Sequence, residues 1–128
     1  MKPSGRNLIV LSGVGFLLLW VEACAAHIGG GLYRVWMWLP VIFLPVAALA
    51  SGLTISSPQK FKRYFKMICF LAVVLGFAGF LFHGDSFLDQ LHKASEIKEI
   101  LSFFSFPPVL APLAISLMGI LGWMGTQE

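Results

Sequence analysis

Four long apolar runs, joined by connections of which only one is long, constrain this chain more than any other feature. The runs cover about 7–27, 35–54, 65–83 and 108–124, and each approaches the roughly 20 residues that a helix needs to cross a hydrocarbon core. Lipid is their natural solvent, because a helix satisfies its backbone N–H and C=O groups internally where no water can. Composition argues against a soluble fold: 58% of the 128 residues are hydrophobic and only 12% are charged, with a mean hydropathy of +0.85. A soluble domain of this size does not enclose so much apolar surface. The expected fold class is an all-α membrane protein, one domain over 1–128 with four transmembrane helices.

The charges fall in clusters between the runs, which suits lipid headgroups rather than nucleic acid. Lys2 and Arg6 before the first run join Lys60, Lys62, Arg63 and Lys66 in the second connection, giving six on one side; Arg34, Lys93 and Lys98 give three on the other. The positive-inside rule then places the six, and both termini, in the cytoplasm. The first run also admits a signal-peptide reading, with Lys2 and Arg6 as the basic segment and Ala-Cys-Ala-Ala at 23–26. It is long for such a segment, and Glu22 is foreign to a lipidation signal at Cys24, so the span reading is preferred.

Punctuation within the runs predicts how they pack. Gly13 and Gly15 in the first, Ala72, Gly76 and Gly79 in the third, and Gly119, Gly122 and Gly125 in the fourth offer small-residue faces for close helix contact. Pro40 and Pro45 predict a bent second helix, while Pro107 and Pro108 suit the start of the fourth. Ser57 followed by Pro58 reads as an N-cap and first helical residue, extending the third helix into the headgroup layer. In the third connection, 84–105, Ile97, Ile100, Leu101 and Phe104 share one helical face. An amphipathic helix on the outer membrane surface is expected there. Trp20, Trp36, Trp38 and Trp123 lie towards span ends, where indole N–H groups meet headgroups.

Few residues carry chemistry. Glu22 lies in the last turns of the first span, about 21 Å from Leu8, and an ionisable group at such a place is a functional candidate. An alternative is that its carboxylate reaches the headgroups or pairs with Arg34. His27 and His83 end the first and third spans, which run in the same direction, so they fall at similar depth near the outer face, with His92 on the same side. Two imidazoles there suit a haem iron or a quinone pocket with Glu22, although helix-end histidines are also common as simple interfacial hydrogen-bonders. Glu22 and His27 stand about 140° apart on an ideal helix and so face different neighbours. Cys24 and Cys69 are too far apart for a disulfide and read as small buried apolar residues. Ser12 and Ser116 are expected to bond back to their own helices. No phosphate loop and no catalytic triad is present: Gly29-Gly30-Gly31 is followed by neither Lys nor Ser or Thr.

Several short stretches resemble those of small uncharacterised four-helix bacterial integral membrane proteins. They are Glu22 with His27, Met37-Trp38-Leu39-Pro40-Val41, Gly79-Phe80-Leu81-Phe82-His83 and Pro107-Pro108-Val109-Leu110-Ala111-Pro112-Leu113. The resemblance implies a bacterial inner membrane and draws attention to Glu22, His27 and His83 without assigning them a role. The leading expectation is an accessory or structural subunit of a larger, redox-related membrane complex, partnered by lipid and by other membrane subunits, with no catalytic or metal-ligating set of its own. The alternative is a haem- or quinone-binding protein using His27 and His83. A small proton-coupled transporter using Glu22 ranks third, since one carboxylate without polar partners in the other spans makes a poor translocation path.

Overall fold

A computed structural model describes residues 1–29, 35–93 and 110–128. These residues form four helices: α1 (Pro3–Gly29), α2 (Val35–Ser56), α3 (Pro58–Lys93) and α4 (Leu110–Gln127). Each contains a segment long and apolar enough to cross a membrane, namely Pro3–Ile28, Val35–Ser56, Pro58–His83 and Leu110–Gln127. The expected amphipathic segment around Ile97, Ile100, Leu101 and Phe104 lies outside the described residues.

The helix boundaries follow from local chemistry. A single residue, Ser57, separates α2 from α3. Its carbonyl accepts from the N–H groups of Lys60 and Phe61 at 3.1 and 3.2 Å, the pattern of an N-cap residue followed by proline at the first helical position. At its far end α3 does not stop at His83, where the apolar run ends, but continues for ten residues to Lys93. Residues 84–93 contain no proline, and one glycine costs a helix only about 1 kcal/mol relative to alanine. With 36 residues, α3 is about 54 Å long, well beyond a ~30 Å hydrocarbon core. Pro112 occupies the third position of α4, where a missing N–H removes no intrahelical bond.

The helices pack in a ring, α1 against α2 and α4, and α3 against α4 and, less extensively, α2. Neighbours are antiparallel: Gly5 near the start of α1 meets Gly125 near the end of α4, and Gly76 meets Pro112. Inward residues recur at alternating spacings of three and four, as in Leu44, Ala47, Ser51 and Thr54 of α2 and Phe65, Cys69, Ala72 and Gly76 of α3. This is the spacing of residues that face the interior of a helix bundle.

The seam is lined mainly by small side chains, with Ile9, Phe16, Leu44 and Phe65 as the large buried exceptions. Large apolar side chains point outward instead: Leu18 is 67% exposed, Phe82 77% and Val35 82%. A protein in water buries such groups; one in lipid gains nothing by burying them and packs through close backbone approach. The glycines of α4 show this directly. A Cβ on Gly119 would lie 2.7 Å from the Cys69 carbonyl oxygen, and one on Gly125 would lie 2.7 Å from that of Gly5. A Cβ on Gly122 would lie 2.7 Å from both Cys69 Sγ and Ser12 Oγ. Steps of three residues turn the helix by about 300°, so the glycine stripe moves around α4 from the α3 seam to the α1 seam.

Candidate functional site

His27 in the last turn of α1 and His83, where the apolar run of α3 ends, are the residues with most chemical potential at the Glu22 end of the bundle. His27 is half-buried in the last turn of α1, and its Nδ1 lies 2.9 Å from the carbonyl oxygen of Ala23, one turn back. A carbonyl only accepts, so the contact assigns a proton to Nδ1, and the neutral form of the ring then keeps its lone pair on Nε2. That tautomer is the one stabilised when a ligating histidine donates its other ring nitrogen to a backbone carbonyl. His83, also half-buried, stands where the apolar run of α3 ends, so α1 and α3, which run in the same direction, carry the two imidazoles to the same end of the bundle. Glu22 is exposed on α1, in keeping with its angular separation from His27. His92 is exposed on the extension of α3. Arg34, which the alternative reading offered as a partner for Glu22, lies outside the described residues. Among the described residues, no three His, Cys, Asp or Glu side chains group as a metal site.

The bundle interior carries hydrogen bonds that were not legible in the sequence. Ser12 and Ser116 do not bond back to their own helices. Ser12 Oγ donates across to the Met118 carbonyl at 2.8 Å, and Ser116 Oγ donates to the Val73 carbonyl at 3.0 Å. Both serines face a glycine-lined contact, Ser12 at Gly122 and Ser116 at Gly76. The close backbone approach brings a neighbouring helix's carbonyl within reach of a short hydroxyl. Ser51 and Thr54 do bond within α2, to Ala48 and Ala50 at 2.7 Å each.

Trp20 also departs from the expected headgroup role. Its Nε1–H donates to the carbonyl of Val41 at 3.0 Å. Val41 stands four residues before Pro45, and proline has no N–H to give that carbonyl. An indole from α1 therefore supplies the donor that the α2 backbone lacks. No buried side-chain nitrogen or oxygen among the described residues is without a hydrogen-bond partner.

At the opposite end, Lys66 Nζ sits 4.7 Å from the centre of the Trp123 ring, within cation–π range. With its amide oriented by these neighbours, Gln127 accepts from Lys66 Nζ at 3.1 Å and from Trp123 Nε1 at 2.9 Å. Trp123 further packs against Phe70, ring centres 6.3 Å apart, and Ser4 Oγ donates to the Glu128 carboxylate. The ends of α1, α3 and α4 are thereby tied together. The i, i+4 spacing of Trp123 and Gln127 is the one sequence signal that this polar cluster offers.

A shallow concavity on the outward face of α2 is lined by Val35, Trp36, Trp38, Leu39 and Ile42 with further apolar side chains. Without convergent polar groups it lacks the character of a substrate site. No family model, curated protein or solved structure matches the chain.

Proposed function

We propose that the chain is an accessory or structural subunit of a larger integral membrane assembly, seated in a bacterial inner membrane with its basic end in the cytoplasm. The observation that carries this reading is where the interior polar groups are used. Ser12, Ser116 and Trp20 each bond one helix to the next, so the polar interior serves cohesion. The glycine seams close the bundle further, and the outward surface of large apolar side chains suits lipid and neighbouring spans. Purification from native membranes in mild detergent tests the reading: the chain should migrate with other subunits. Migration as a lone monomer overturns it.

A second reading has its own support. The tautomer of His27 and the place of His83 at the same end of the bundle suit a b-type haem or a quinone held near the outer face, which gives the assembly a redox character. Haem would supply electron transfer; His27 and His83 would hold it, with the Ala23 carbonyl fixing the His27 ring. The purified protein should then show a Soret band that His27→Ala and His83→Ala each abolish. An unchanged spectrum in both variants disposes of the haem version.

A further inference from the structure

We infer that the basic end of the bundle is a binding site for an anionic phospholipid, with its phosphodiester headgroup held by the first two turns of α3. The start of α3 carries Lys60, Lys62, Arg63 and Lys66 within seven residues. The start of α1 carries Lys2 and Arg6 at the same end. Carboxylate side chains in the first turns of α1, the α2–α3 junction and the last turn of α4 come to one, Glu128, and it accepts a hydrogen bond from Ser4. The positive charge at this end is therefore largely uncompensated within the chain.

The cations differ in their duties. Lys66 is half-buried and held by Trp123 and Gln127, so it fixes the α3–α4 corner. Lys60 and Arg63 are exposed and Lys62 is half-exposed, which leaves their heads available to an anion.

The surface below them identifies the ligand as a lipid rather than a soluble phosphate. Tyr64, Met67, Phe70, Leu71 and Val74 are exposed at 63%, 59%, 56%, 49% and 48%. Their spacing of three and four continues the stripe that begins with Lys60 and Arg63. One face of α3 thus changes along its axis from cationic to apolar. A phospholipid shows the same sequence of chemistry, with its charged head above its acyl chains. Cations near a membrane surface each strengthen the binding of anionic lipid about fivefold.

The test uses the full chain in detergent doped with phosphatidylglycerol or phosphatidylcholine, with retained lipid read by native mass spectrometry. The wild type should retain phosphatidylglycerol in preference to phosphatidylcholine, and rising salt should erode that preference. The triple variant K60Q/K62Q/R63Q should weaken phosphatidylglycerol retention by about a hundredfold, with Lys66 left in place to hold the corner. Equal retention of the two lipids, a salt-insensitive preference, or undiminished retention in the triple variant overturns the proposal. Displacement of the lipid by millimolar inorganic phosphate also overturns it, since the site would then be one for free phosphate. The wild-type salt series decides the matter even if the triple variant fails to fold.

Discussion

Single hydrogen bonds between helices tie this bundle together. The Trp20 indole and the Val41 carbonyl are coupled through a residue that neither touches by sequence, because Pro45 is what leaves that carbonyl without a helical donor. Trp20→Phe keeps most of the ring and removes the N–H, and should destabilise the bundle by about 1 kcal/mol, the net worth of an ordinary hydrogen bond. In a Pro45→Ala background the backbone N–H is restored, so the penalty for Trp20→Phe should shrink to a few tenths of a kcal/mol. Reversible unfolding of the four proteins of this cycle in detergent measures the coupling; equal penalties in both backgrounds would refute it. Ser12→Ala should cost about 0.6 kcal/mol by the same assay, the average for interhelical side-chain hydrogen bonds in membranes. These partners were not legible in the sequence. Ser12 and Ser116 have carbonyls within reach on their own helices, and only the register imposed by Gly122 and Gly76 decides in favour of the neighbouring helix. The Nδ1 bond of His27 to Ala23 is local, yet it too depends on a side-chain rotamer that no spacing rule specifies.

Among the elements, α4 is the one whose small residues do most to define the packing. Its three glycines serve different seams, so they should respond differently to one added methyl group. Gly119→Ala should loosen α3–α4 and Gly125→Ala should loosen α1–α4, each against a backbone carbonyl that cannot step aside, while Gly122→Ala meets the Cys69 and Ser12 side chains, which can rotate, and should be the mildest of the three. Overpacking of this kind typically costs about 1–3 kcal/mol. Gly52 of α2 provides the control, since an added Cβ there meets nothing within 4 Å; Gly52→Ala should be neutral or stabilising through helix propensity. Thermal unfolding midpoints should place Gly119→Ala and Gly125→Ala below Gly122→Ala, with Gly52→Ala at or above the wild type, and the reverse order would contradict the seam account. The four helices themselves were plain in the sequence because apolar run length tracks bilayer thickness, and the Ser57–Pro58 junction was plain because capping chemistry is local. The far end of α3 was not, since apolarity reports where lipid ends and says nothing of where hydrogen bonding ends. The walk of the α4 glycines was hidden for a related reason: their spacing shows small size, while the choice of neighbour requires the ring order of the helices.

At the scale of the whole molecule, two chemically different ends follow from four antiparallel spans. One end gathers Lys2, Arg6 and the basic start of α3, tied by Lys66, Trp123 and Gln127; the other gathers Glu22, His27 and His83. Parity makes this segregation legible from the sequence, since helices that run in the same direction end on the same side. Site-directed labelling tests most directly whether the chain makes an even number of crossings with both termini beside the α2–α3 junction. In a background with Cys24 and Cys69 replaced by alanine, single cysteines enter at Ser4→Cys, Ser57→Cys, Gln127→Cys and Val35→Cys. They are probed with a membrane-impermeant maleimide on sealed vesicles of known orientation. The first three should label from one face, the cytoplasmic one, and Val35→Cys from the other. Labelling of Ser4→Cys and Gln127→Cys from opposite faces would contradict the four-span account.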